Sequence, residues 1–236
     1  MAVSRRDVIA MVAIVSCAMV AITITAVVVT SRRPTAATVV PTKEALLPTL
    51  DDVLLDPGAV RGVLGGGDLR LNSADNLLLP PLGAQLAVTP PECLAVATLG
   101  DGTAYSDVKW LSARRSVIVP ITDVPGAPVT VMQSVVIMPS PAVASSFVDQ
   151  SLASWRRCQG QTYHFGPDAT ARFVASAVDE VDGTVVARSV QVDVPSYLCV
   201  HALAAHSRYV VEVRTCGTPV DKAAKLITKL TAKLPS

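Results

Sequence analysis

The side chains that most constrain chemistry in this chain are its cysteines. Cys93, Cys158, Cys199 and Cys216 all lie downstream of one uninterrupted apolar run, Val8–Thr30. No C-x-x-C occurs, and His164, His201 and His206 lack metal-ligand spacing. The pattern therefore implies neither metal nor cofactor, and it suits disulfides in an oxidising compartment. Four cysteines allow three connectivities, and the segment 197–216 discriminates among them. If it folds as a hairpin turning at Ser207-Arg208, opposed residues have numbers summing to 415, which Cys199 and Cys216 satisfy. Counting outward from the turn, this pair is a non-hydrogen-bonded one, where the strands come closest, as a disulfide requires. Cys199–Cys216 is expected, leaving Cys93–Cys158.

Other catalytic patterns are missing. There is no G-x-S-x-G, no H-E-x-x-H and no obvious carboxylate pair, so a hydrolase is the weakest functional reading. No catalytic residues are assigned and no enzyme is expected. The Gly65-Gly66-Gly67 cluster follows a helix, and no Lys-Ser/Thr comes after it; it reads as a helix stop, not a phosphate cradle.

These residues must be held by something, and the chain divides into unequal parts. Val8–Thr30 contains 23 residues without charge, Pro or Gly. Such a run reaches about 35 Å as a helix, enough to cross a hydrocarbon core of about 30 Å with some tilt. It is expected to be an uncleaved transmembrane anchor behind a short cytoplasmic tail, residues 1–7. Arg5 and Arg6 precede the run, but Arg32 and Arg33 follow it, so the cysteines fix its orientation better than charge does. The run is too long for a cleaved signal peptide and ends on no A-x-A site. A second route remains open, because Ile14-Val15-Ser16-Cys17 looks like a bacterial lipobox in which Cys17 would be lipidated. Residues 31–42 form a Pro/Thr linker, and residues 43–236 the domain it lifts off the bilayer.

Beyond residue 30 the chain holds 18 basic and 18 acidic residues, with no basic stripe, which excludes nucleic acid as the expected partner. Aromatic residues make up 4% of the chain, too few for an aromatic-lined sugar platform or cation cage. Asp56-Pro57 reads as cap and first residue of a helix, and Ser140-Pro141 opens the clearest one, with Val148, Leu152 and Trp155 at helical spacing. Trp155 is expected in the core. Residues 72–92 read as loop with a short helix bearing Cys93. Strands are expected over Val108–Thr122 and Val129–Met138, and in a hairpin at Asp182-Gly183 joining Ala171–Val181 to Thr184–Val194. A final amphipathic helix, Pro219–Leu234, is expected to carry Lys222, Lys225, Lys229 and Lys233 on a solvated face.

Several of these segments resemble a known family. Pro91-Glu92-Cys93-Leu94, Phe147 with Trp155-Arg156-Arg157-Cys158-Gln159-Gly160-Gln161-Thr162, and Cys199-Val200-His201-Ala202-Leu203 followed by Ser207, Val211, Glu212 and Cys216-Gly217 are similar to the extracellular sensor domain of mycobacterial PknH-type receptor serine/threonine kinases. The resemblance covers roughly Leu50 to Leu234. It implies an α+β fold: an antiparallel β-sheet packed by a few helices, with a cleft for an unidentified ligand and two disulfides matching the pairing above. Only a few residues precede the anchor, so no kinase domain and no phosphotransfer are expected.

The expected function is thus a membrane-anchored, single-pass, extracytoplasmic sensor domain of the cell envelope, binding a small molecule or lipid. In the 199–216 hairpin, Val200, Ala202, Ala204, Val211 and Val213 form one face and read as core. The opposite face pairs His201 with Arg214 and Leu203 with Glu212, which suits either a ligand cleft beside the disulfide or an ordinary solvent-facing sheet surface. The alternative function is an interaction or assembly module for other envelope proteins, which sequence does not separate from the first.

Overall fold

The computed structural model describes residues 50–76, 78, 87–121, 129–166, 171–217 and 222–236. The tail, the apolar run with Cys17, and the linker lie outside these residues. Among the described residues no helix is long and apolar enough to cross a membrane.

Among the described residues, nine antiparallel strands form one sheet in the order β1-β3-β4-β9-β8-β7-β6-β5-β2. The strands are β1 (Leu69–Asp75), β2 (Val88–Thr89), β3 (Ser112–Pro120), β4 (Thr130–Ile137), β5 (Thr162–Phe165), β6 (Arg172–Val181), β7 (Thr184–Gln191), β8 (Val194–His206) and β9 (Tyr209–Gly217). The helices are α1 (Leu50–Val53), α2 (Pro57–Leu64), α3 (Leu94–Ala97, preceded by a 3-10 turn at Pro91–Cys93), α4 (Pro141–Cys158) and α5 (Ala223–Thr231). After β4 the chain runs through α4 to the far side of the sheet. It then returns strand by strand from β5 to β9, which closes on β4.

The turns drive this meander. Asp182 and Gly183 both take positive φ, 51° and 71°, as a two-residue turn matched to strand twist demands. Ser207 does the same at the β8–β9 turn, with φ 50°. The sheet alternates its side chains between two buried faces. One packs under α4, α3 and the Cys93 turn, with Phe147, Val148 and Trp155 against Val178, Ala187 and Leu203. The other packs under α1, α2 and α5, with Leu226, Ile227 and Leu230 against Val186, Val200, Val211 and Val213. Residues 42–236 form one compact unit.

Both disulfides are formed, Cys93–Cys158 and Cys199–Cys216. In the second, the Cα atoms lie 4.1 Å apart, the close approach of a non-hydrogen-bonded pair. The first ties the 3-10 turn to the last residue of α4. The caps also stand where their residue types suggest. Asp56 accepts from Ala59 N at 2.9 Å and Ser140 Oγ from Val143 N at 3.3 Å.

Four features differ from expectation. Residues 69–75 form edge strand β1, hidden in the sequence because a bulge between Leu71 and Ser73 breaks its alternation and four of its seven residues are polar. Short strands β2 and β5 also lie in stretches without β patterning. The last helix starts at Ala223, since Lys222 takes the non-helical φ/ψ of −129°/7°; positions 218–221 lie outside the described residues. Finally, its lysines are not all a solvated face. Lys222 Nζ donates to Leu64 O at 2.7 Å, capping the carbonyl end of α2, and Lys233 Nζ to Leu54 O at 3.1 Å.

Candidate functional site

The β8–β9 turn sets the register that brings the candidate residues together. His201 stands opposite Arg214 and Leu203 opposite Glu212, with Cys199 opposite Cys216 further along the same face. That face is covered, not solvent-facing. His201 is 2% exposed, Leu203 1%, Glu212 4% and Arg214 8%. Burying this much polar surface is costly unless each group finds partners.

Glu212 finds three. Tyr105 Oη donates to its Oε1; Gly100 N and His201 Nε2 approach its Oε2 at 3.2 and 3.1 Å. The other ring nitrogen of His201, Nδ1, faces Val96 O at 3.3 Å. Both ring nitrogens therefore face oxygens. The His201–Glu212 contact is diagonal, across neighbouring cross-strand pairs, so Arg214 is not the group that pairs with either. Arg214 Nε is buried without a hydrogen bond among the described residues.

Three chain segments converge here. The second half of α3 and the segment 98–105 that follows it present Val96 O, Gly100 N and Tyr105 to β8 and β9. Gly100 takes φ 59°, a conformation that favours glycine, and a side chain there would come into van der Waals contact with Arg115 and Ser134. Asp101 Oδ1 accepts from Thr103 N at 2.7 Å, folding the turn that carries Tyr105. From above, α4 lays Phe147 on the Tyr105 ring, centroids 4.3 Å apart, and Trp155 on His201 at 4.4 Å. Trp155 is thus core, as expected, and also one wall of the polar cluster.

Burial pushes the Tyr105 phenol well above its ordinary range, and the charge and hydrogen bond of Glu212 push it further. Tyr105 therefore stays a donor. A cavity of about 20 Å³ borders Thr98, Gly100, Asp101, Tyr105, Leu203 and Glu212, room for about one water. As it stands the cluster is a closed polar knot, not an open cleft. The other histidines lie elsewhere: His164 Nδ1 bonds Gly166 O at 2.8 Å, and His206 sits at the β8–β9 turn. Among the described residues no three His, Cys, Asp or Glu side chains gather as a metal site.

Residues 48–233 match the family model of the PknH-like extracellular domain. The chain belongs to the PknH-like extracellular domain family. That model describes an extracellular domain, not a catalytic one, and it suits an extracytoplasmic location. The structure of the extracellular domain of PknH from Mycobacterium tuberculosis superposes with a TM-score of 0.71 over 82% of this chain and 96% of that one, at 21% identity. At that identity the likeness shows a shared fold. An uncharacterised protein from Mycobacterium smegmatis aligns over 79% of this chain and 99% of its own, but at 11% identity and a TM-score of 0.38. No curated protein matches.

Within this family fold, the sequence pattern of the hairpin marks His201, Leu203, Glu212 and Arg214. It does not mark Tyr105 or Gly100, which come from an irregular segment with no periodicity to read. Nor does it mark Gln133, a β4 side chain 1% exposed on the opposite face. Gln133 Oε1 accepts from Leu55 N at 3.0 Å and its Nε2 donates to Leu55 O at 2.6 Å, clamping the α1–α2 turn onto the sheet.

Proposed function

We propose that this chain is a membrane-anchored extracytoplasmic sensor domain that takes up a small molecule or lipid at the polar knot under α4, without phosphotransfer. Family membership supports the sensor class, and the apolar run at 8–30, which precedes the matched residues, supports the anchor. The observation that carries the binding proposal is Glu212. A buried carboxylate held by a phenol, an imidazole and a backbone N–H contributes less stability than an apolar core of the same volume, which favours a role beyond folding. A ligand with its own donor replaces the Tyr105 hydroxyl at Glu212 Oε1, and the segment 98–105 moves off Phe147 to admit it.

The domain's ligand is sought by adding a mycobacterial envelope lipid extract to residues 42–236 and following the melting temperature. The expected result is an upward shift in the wild type that Tyr105→Phe enlarges, because the replaced bond is already gone, and that Glu212→Gln abolishes. Equal shifts in all three proteins contradict the site. For the anchor, the intact mass of the mature chain is expected to include Met1–Ser16; loss of those residues with added acyl chains establishes lipidation at Cys17 instead.

A further inference from the structure

The opposite end of the sheet holds a second, larger depression, unrelated to the knot under α4. It lies on the other face of the sheet, over β1 and β3, and is walled by the α1–α2 turn. Its volume is about 200 Å³, open to solvent, below that of drug-sized sites but ample for a short aliphatic molecule. Leu54, Leu55, Pro57, Leu71 and Ala74 give it apolar sides, and Arg114 and Ser116 a polar floor.

Two details distinguish it from an ordinary surface dent. Ser116 is 3% exposed, and its Oγ is buried without a hydrogen bond among the described residues. A buried hydroxyl in that state calls for a partner. The walls are also rigid. Gln133 grips both backbone groups of Leu55, and Asn76 Oδ1 accepts from Arg114 NH1 at 2.7 Å, holding the guanidinium in place. A site held in its binding geometry before the ligand arrives loses less entropy on binding.

We infer that this depression binds a small amphipathic carboxylate, such as a medium-chain fatty acid. The head group lies between the Arg114 guanidinium and the Ser116 hydroxyl, and the aliphatic body along Leu54, Leu55 and Leu71. Charge sets this orientation. Asp56 is the other ionisable group lining the depression, and its Oδ1 is engaged by Ala59 N at the start of α2. It repels an anionic head from the α2 end and leaves the Arg114 end for it. Leu71, 51% exposed on the edge strand, becomes covered when the body is in place. The depression and the knot under α4 lie on opposite faces, so this inference does not depend on the function proposed above.

The test is calorimetric titration of residues 42–236, which hold both cores and both disulfides, with sodium octanoate and with 1-octanol. Octanoate is expected to bind and octanol to bind at least about tenfold more weakly, since a charge-assisted hydrogen bond is lost. Arg114→Gln is expected to weaken octanoate about 10- to 100-fold. Leu71→Asp, a surface change that leaves the fold intact, is expected to abolish binding by placing a like charge on the wall. Tyr105→Phe, on the other face, is expected to leave octanoate binding unchanged. No octanoate binding at millimolar concentration, octanol binding as tightly as octanoate, or loss of binding in Tyr105→Phe but not in Leu71→Asp overturns the inference.

Discussion

Glu212 shows how much one side chain organises here. Its two oxygens tie the β8–β9 hairpin to the segment 98–105, 107 and 112 residues away at Tyr105 and Gly100, through a phenol, a backbone N–H and an imidazole. Removing the phenol hydroxyl leaves a buried carboxylate short of one donor. Tyr105→Phe is therefore expected to lower unfolding stability by about 1.5–3 kcal/mol, measured by urea titration. The same residue gives a pH dependence with a defined sign. Burial raises the folded phenol above the unfolded value of 10.0, so the stability held by the neutral phenol is complete below that pH. It is lost as pH rises through the folded value. Absorbance of ionised tyrosine at alkaline pH is expected to show a component that titrates only on unfolding, and Tyr105→Phe is expected to reduce it while the Tyr209 phenol, also raised by burial, still titrates late. Gln133 is the counterpart on the other face. Gln133→Ala strips both backbone partners from Leu55 and is expected to cost about 2–4 kcal/mol in the same urea assay.

Among the elements, α4 and the β8–β9 hairpin were the most legible. Ser140-Pro141 carries its own start signal and Val148, Leu152 and Trp155 their own spacing, so the helix is fixed by local rules. Ser140→Ala is expected to cost about 1 kcal/mol, read from the shift in urea midpoint. The hairpin was legible because period-two alternation and a two-residue turn determine register, and register alone places His201, Leu203, Glu212 and Arg214 on one face. Whether that face meets solvent or a helix is not contained in the strand, so the solvent-facing alternative was open until α4 was in place. Edge strand β1 was illegible for a related reason. An edge strand with a bulge buries little, and a sequence such as LRLNSAD carries no alternation to read. Tyr105 shares that obscurity, since its position follows from long-range contacts with Glu212 and Phe147 and not from any local pattern.

The folded domain is one sheet with two unlike faces. The α4 face is cross-linked, and its polar groups are gathered into a knot; the α5 face is mainly aliphatic, with Gln133, Ser116, Thr215 and Tyr209 buried among its Val, Leu and Ile side chains. Both disulfides belong to the α4 side, one tethering the 3-10 turn to α4 and one closing β8 on β9. The separations spanned, 65 and 17 residues, correspond in the chain-entropy model to about 4 and about 3 kcal/mol. Losing Cys93–Cys158 also frees the segment that carries Val96 and leads to Gly100 and Tyr105. A Cys93→Ser, Cys158→Ser double variant is therefore expected to lose ligand response before it loses the β-sheet, a divergence visible by comparing binding with far-ultraviolet circular dichroism.

The domain is proposed to hold a ligand. Ligand retention is tested most directly by expressing residues 42–236 in an oxidising mycobacterial envelope, purifying without detergent, and recording native and denaturing mass spectra. A ligand-bound domain has a native mass above that of the polypeptide with two disulfides, the excess being lost on denaturation and reduced in Glu212→Gln. A bare polypeptide mass in the native spectrum, unchanged after incubation with envelope lipid extract, would contradict ligand binding.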